Sequence, residues 1–173
     1  MILLRHGQSA FNRHFTATRR DPGIADAPLT PLGHAQAGQA ATALARLGVG
    51  RIVVSPDTRA LQTAMPLARA LGVAVTVDPV VRERFAFSCD VGTPRTELQR
   101  AWPALDFTGL DETWWPPAEE PVQSLLDRAA RFRADMAAQP DWSSTLVVCH
   151  WGFILAMTGE SLGNGEWRRL GKG

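Results

Sequence analysis

At 173 residues the chain is long enough for one domain with a substantial core and short for two. Hydrophobic residues at 45% and charged residues at 20% are ordinary for a globular protein, and a net charge of +1 lacks the basic surplus that nucleic acid or an anionic membrane would call for. No apolar run approaches the roughly 18–20 residues that span a bilayer. Two cysteines, Cys89 and Cys149, do not make a secreted disulfide framework, and no cationic leader precedes the apolar start, so a cytoplasmic address is expected.

In chain order, four short apolar runs read as buried strands: Ile2–Leu4, Arg51–Ser55, Val73–Val77 and Thr145–Cys149. Helical patterns lie between them. Thr30-Pro31 is an N-cap followed by proline at the first helical position, opening a helix to about Leu47. Ser55-Pro56-Asp57 opens another that runs to about Leu71 and stops at Gly72. Arg95–Ala101 is a shorter helix, residues 118–138 a longer one, and a last helix follows His150. A short final strand in the tail Arg168–Gly173 is open. Alternating strand and helix predicts a single α/β domain over 1–173, a three-layer sandwich whose largely parallel sheet carries helices on both faces. The stretch 82–121 breaks the rhythm, with Cys89-Asp90, Gly92, five prolines and Trp114-Trp115; it reads as an excursion over the site, its tryptophans either packed on the core or walling a pocket.

Chemistry collects where the strands end. The first strand delivers Arg5, His6, Gly7 and, shortly after, Asn12; the second delivers Ser55 and then Arg59; the fourth delivers Cys149-His150 with Trp151-Gly152 opening the next helix. Ligands of parallel α/β sheets gather beyond the carboxyl ends of the strands. Two guanidiniums and one protonated imidazole can hold the equatorial oxygens of a phosphoryl group in transfer, and a second, neutral imidazole can attack phosphorus. Arginine and histidine supply the positive charge, so no metal or other cofactor is expected. Seventeen of the eighteen basic residues are arginine, Lys172 being the exception; base composition accounts for that skew as readily as oxyanion binding does.

The residues from Leu4 to Asn12 resemble the Arg-His-Gly signature of the histidine phosphatase superfamily, which includes the cofactor-dependent phosphoglycerate mutases. Ala27–Thr30 with Gly33 and Gln36-Ala37, Ser55–Ala64, and Val147–Gly152 resemble three further blocks, in order and over nearly the whole chain. The resemblance implies that His6 is the nucleophile and becomes phosphorylated. It implies that Arg5, Arg59 and His150 hold the phosphoryl oxygens, with Asn12 lining that pocket; Trp151 is a further phosphate-binding candidate, because backbone N–H groups at the start of the helix after His150 would point at the same anion. The family's proton donor is a carboxylate soon after the third strand; Glu83 matches that place, and Asp90 is the reserve. The expected activity is metal-independent hydrolysis of small phosphomonoesters. A mutase that returns the phosphoryl group to another hydroxyl of its substrate is the rival within the fold, and a non-catalytic phosphate-binding module is the rival outside it.

Two other patterns compete. Cys89–Arg95 has the Cys-x5-Arg spacing of a cysteine-dependent phosphatase, but it has one glycine, a proline before the arginine and no strand leading in. His14 and His34 with Asp21 or Asp26 could in principle ligate a metal, although surface positions are the simpler reading.

Overall fold

A computed structural model describes residues 1–171; Lys172 and Gly173, the end of the predicted tail strand, lie outside the described residues. Five strands form one sheet: β1 (Ile2–Arg5), β2 (Arg51–Val54), β3 (Ala74–Val77), β4 (Thr145–Cys149) and β5 (Trp167–Arg169), in the order β3-β2-β4-β1-β5. The first four are parallel and β5 runs antiparallel along β1. The expected three-layer α/β architecture is what forms.

Strand alternation sends neighbouring side chains to opposite faces. Ile2, Leu4, Ile52, Val54, Leu146 and Val148 bury on the side of α2 (Pro31–Leu44) and α3 (Thr58–Leu71). Leu3, Val53, Val147 and Cys149 bury on the side of α5 (Val122–Ala137) and α6 (Trp151–Thr158). Every residue of β4 is buried, as a central parallel strand requires, whereas edge strand β3 is half exposed and less two-sided than its apolar run suggests.

Two helices remain. α4 (Arg95–Ala101) forms as expected, and α1 (Ala10–Thr18) was not foreseen. Ser9 caps α1 in a capping box: its hydroxyl accepts the Asn12 amide N–H while the Asn12 side chain accepts the Ser9 N–H. Boundaries also shift. α2 ends at Leu44 rather than Leu47, and α5 begins at Val122 rather than Ala118. Pro121 explains the second, because the residue before a proline is pushed out of helical geometry.

The strand order positions the site. β4 lies between β1 and β2 with Arg5 opposite Cys149 and Val148 opposite Val54, so the three carboxyl ends lie side by side. Backbone bonds continue past the strands, from His6 N–H to Cys149 O (3.0 Å) and from Ser55 N–H to Val148 O (3.2 Å). The helices α2 and α6, which follow in the chain after β1 and β4, pack on opposite faces and open the crevice where such sheets take ligands.

Candidate active site

Beyond β1 the chain turns tightly at Gly7, whose N–H donates to Thr63 Oγ1 (3.1 Å). A Cβ on Gly7 would stand 2.3 Å from Gly33 O, and one on Gly33 would stand 2.2 Å from Gln8 O. The loop therefore rests on the first turn of α2 with main chain against main chain, a contact only glycine allows.

His6 is buried on that loop, and its Nδ1 sits 2.7 Å from Gly7 O. A carbonyl only accepts, so the proton is on Nδ1 and the Nε2 lone pair is free. Burial, then the nearby His150, Arg59 and Arg5, hold the His6 imidazole well below its usual pKa, which keeps it neutral at pH 7. The His150 ring stands edge-on to it, centroids 5.1 Å apart. His150 is the N-cap of α6 and is fully buried. Its Nε2 is 3.0 Å from Asp57 Oδ2, an ion-pair contact rather than a straight hydrogen bond.

Arg59 comes from the first turn of α3 and is held among carboxylates: Nη1 is 3.3 Å from Asp57 Oδ1 and Nη2 is 3.2 Å from Asp90 Oδ1. Nη1 also donates to Cys89 O (2.6 Å). Burial opposes its charge, but Asp57 and Asp90 outweigh it and keep the guanidinium protonated. Asp57 is driven the other way. Burial would raise its pKa, yet Arg59 and His150 hold it far below the usual carboxylate range, and Ser55 Oγ donates to it (2.6 Å). Arg5 donates from Nη1 to Leu162 O (2.8 Å), and its pKa is lowered chiefly by burial.

Glu83 lies against the start of α6. Its Oε2 accepts the Gly152 N–H (3.1 Å) and its Oε1 the Arg84 N–H (2.9 Å). A Cβ on Gly152 would fall 2.4 Å from Oε1, so glycine there makes room for the carboxylate. A buried cluster braces this segment: Glu120 accepts from Arg82 and Arg128, and Arg128 donates to Val80 O (2.6 Å) and Arg82 O (2.9 Å). Asp90 is differently placed. Its Oδ2 accepts the Ala86 and Phe87 N–H groups and its Oδ1 faces Arg59, so both oxygens serve to tie the 86–90 turn to the arginine. Asn12 lines the pocket, and Asn164 bridges Asn12 Oδ1 (3.0 Å) and His6 O (3.1 Å).

Arg5, His6, Asn12, Arg59 and Glu83 thus line one cavity, and His150 is buried against His6. Trp151 also lines the cavity, from its rim: the indole is 43% exposed, with its N–H donated to Ser161 Oγ (2.7 Å). Trp114 and Trp115 do not wall the cavity; they pack into the α2–α3 core, Trp114 pressed on Gly92. The Cys89–Arg95 string makes no phosphate loop, since Arg95 pairs with Glu112 and burial pushes the Cys89 thiol up, away from the thiolate. His14 and His34 are exposed. Asp21 and Asp26 are structural: Asp21 accepts from the Ser88 N–H and hydroxyl, and Asp26 from the N–H and hydroxyl of Thr58 at the start of α3. Among the described residues no group of three or more His, Cys, Asp or Glu is placed to hold a metal ion. Asp57, Thr63, Asn164, Glu120 and Arg128 belong to the site's support, and no spacing rule singled them out.

The buried side-chain nitrogens and oxygens without a hydrogen-bond partner among the described residues are Arg5 Nε and the two ring nitrogens of His150. An unsatisfied buried polar group costs roughly 1–3 kcal/mol. All three lie in this one site: His150 Nε2 faces Asp57, whereas Arg5 Nε and His150 Nδ1 have no partner there.

The comparisons agree with that geometry. The sequence profile of the histidine phosphatase superfamily (branch 1) matches residues 1–171. A probable phosphoglycerate mutase of Enterobacter sp. (strain 638) is 32% identical over 157 residues, 87% of this chain and 68% of that protein. A glucosyl-3-phosphoglycerate phosphatase of Mycolicibacterium vanbaalenii is 32% identical over 171 residues, 94% of this chain and 74% of that one. A mycobacterial glucosyl-3-phosphoglycerate phosphatase solved with VO3 superposes with a TM-score of 0.68 at 26% identity, covering 96% of this chain and 88% of that one. On this match and these relatives, the chain belongs to the histidine phosphatase superfamily.

Proposed function

We propose that the protein hydrolyses phosphomonoesters through a phosphohistidine on His6. One observation carries the reading: a neutral, buried imidazole with Nε2 free faces a second buried imidazole and lines the same cavity as two arginines, with unpartnered nitrogens left over.

In the first step the Nε2 lone pair attacks phosphorus, and the bond to the ester oxygen breaks with its electron pair on that oxygen. Glu83, in its carboxylic acid form, gives the departing alkoxide a proton. Arg5, Arg59 and His150 hold the equatorial oxygens while charge spreads over them. In the second step Glu83, now a carboxylate, takes a proton from water as its oxygen attacks phosphorus. The N–P bond breaks, and inorganic phosphate leaves. The side chain of Glu83 reaches the pocket from the 82–121 excursion, and Asp90 is already committed to Arg59 and two backbone N–H groups, which favours Glu83 as the proton donor.

His6→Ala is expected to abolish release of phosphate from p-nitrophenyl phosphate while leaving the circular dichroism spectrum unchanged. Wild-type enzyme quenched in alkali during turnover of a labelled ester is expected to carry acid-labile, alkali-stable label. Near-normal turnover by His6→Ala would refute the mechanism. Incubation with 3-phosphoglycerate separates hydrolysis from the mutase alternative: free phosphate supports the first, 2-phosphoglycerate the second.

A further inference from the structure

The cavity that holds the proposed phosphate cage measures about 650 Å³ in all, far more than a phosphoryl group fills and within the usual size of a small-molecule site. Much of its wall is apolar. Phe11 and Phe15 of α1 stack with centroids 5.3 Å apart, and Phe87, from the 86–90 turn, sets its ring edge-on to Phe15 at 5.2 Å. Across from them α5 presents Val122 and Leu126, and Trp151 closes the rim. Six large apolar side chains among the described residues are exposed, and four of them (Phe87 42%, Val122 56%, Leu126 40%, Trp151 43%) border this one cavity. A cluster of exposed apolar groups beside a polar floor marks a surface kept for a ligand.

Most polar groups around that wall are already engaged, Thr16 and Arg19 being the exceptions. Arg84 donates to Glu119 and to Glu120 O, Asn12 is bonded to Asn164, and the Trp151 indole N–H is held by Ser161. A sugar or glycerate moiety seated here would lose water from several hydroxyls and find few partners for them, a net cost for each one left unpaired. Arg19 is the rim cation with no carboxylate partner among the described residues, and its guanidinium lies over the outer Phe15 ring, 5.9 Å from the centroid.

We infer that the substrates are phosphomonoesters of apolar, chain-like or aromatic alcohols, whose leaving group occupies the pocket walled by Phe11, Phe15, Phe87, Val122 and Leu126. The inference rests on the phosphatase reading and adds the identity of the alcohol.

The test compares kcat/KM for ethyl, propyl, hexyl and 2-phenylethyl phosphate with glycerol 3-phosphate and 3-phosphoglycerate. The alkyl members are all esters of primary alcohols, so leaving-group reactivity varies little. Each fully buried methylene is worth roughly fourfold, and hexyl phosphate is expected to exceed ethyl phosphate by at least about tenfold. Propyl phosphate is expected to exceed glycerol 3-phosphate, which has the same number of carbons. In the double variant Val122→Ser/Leu126→Ser, both on the outer surface of α5, the hexyl-to-ethyl ratio is expected to fall at least about threefold. The ratio is its own control, since a general folding defect lowers both rates.

A flat series in wild type, with turnover still lost in His6→Ala, leaves the phosphatase reading standing and overturns the inference. A preference for 3-phosphoglycerate that disappears in Arg19→Ala also overturns it, by showing that the rim takes a carboxylate. Failure of wild type to hydrolyse any of these esters removes the phosphatase reading and the inference with it.

Discussion

At the scale of single residues the site is organised around a carboxylate that never meets the reacting bond. Asp57 touches both His150 Nε2 and Arg59 Nη1, and Ser55 donates to it from the strand end. The contact sets Nε2 against Asp57 and leaves His150 Nδ1 buried and without a protein partner, so in the proposed reaction Nδ1 is the atom that donates to a phosphoryl oxygen. Asp57→Asn keeps the shape and removes the charge. Its expected effect is a fall of about tenfold to a hundredfold in kcat, the loss of electrostatic stabilisation that removing one such contact brings. KM for a phosphate ester should change less than kcat, and rescue is expected from Asp57→Glu only in part, because a longer side chain moves the contact. A kcat unchanged in Asp57→Asn would show that the pair is structural alone. The residue also illustrates what spacing conceals. His6, His150 and Arg59 stand out because strand ends and short motifs announce them, but Asp57 reads as an ordinary helix N-cap until β4 is known to lie beside β2.

At the scale of elements, each helix that follows a strand has a task at its N-terminus. α3 carries Arg59 and Thr63, α2 supports the His6 loop through Gly33, and α6 gives the Gly152 N–H to Glu83. The last contact is the one most open to a single-atom test. Gly152→Ala would drive a methyl against Glu83 Oε1 and displace the carboxyl group. Proton delivery contributes on the order of a hundredfold or more. The expected loss in kcat is therefore large for alkyl phosphates and small for p-nitrophenyl phosphate, whose leaving group departs without a proton. Equal losses on both substrates would mean that the methyl disturbs the phosphate seat instead. Much of the element plan was legible in residue patterns, because β1, β2 and β4 are uninterrupted apolar runs and α2 and α3 carry clear start or stop residues. α1 escaped notice although Ser9-x-x-Asn12 and the Phe11/Phe15 pair at helical spacing both announce it. Glu83 was found by resemblance, since the partner that fixes it is 69 positions away in the chain and no local periodicity reports such a contact.

At the scale of the whole molecule, buried titratable groups couple the site to stability. The unfolded His6 binds a proton near its ordinary pKa of about 6.5, while in the folded protein burial and the neighbouring cations keep it neutral to lower pH. Stability then rises with pH wherever the unfolded state holds the extra proton. It is fully present above about pH 6.5 and falls as pH drops below that value, by up to roughly 1.4 kcal/mol per pH unit for this one group. Asp57 has the opposite chemistry and the same direction: its pKa is depressed by Arg59 and His150, so its contribution persists above the ordinary carboxylate range and is lost only in stronger acid. Urea unfolding of wild type and of His6→Gln between pH 7.5 and 5 tests the first part. The variant is expected to show a pH slope shallower by about one proton's worth in this window, and identical slopes would contradict it.

The support of the catalytic loop and the rim of the pocket are made of different materials, and this bears on how such a protein can change. Behind His6, Gly7 and Gly33 place one peptide plane on another, with no side chain between them to lengthen, shorten or re-aim. Around the mouth, Phe87, Val122, Leu126 and Trp151 each project from a backbone whose course does not depend on their size. Sequence drift can therefore redraw the doorway one residue at a time while the hearth behind it stays as it was.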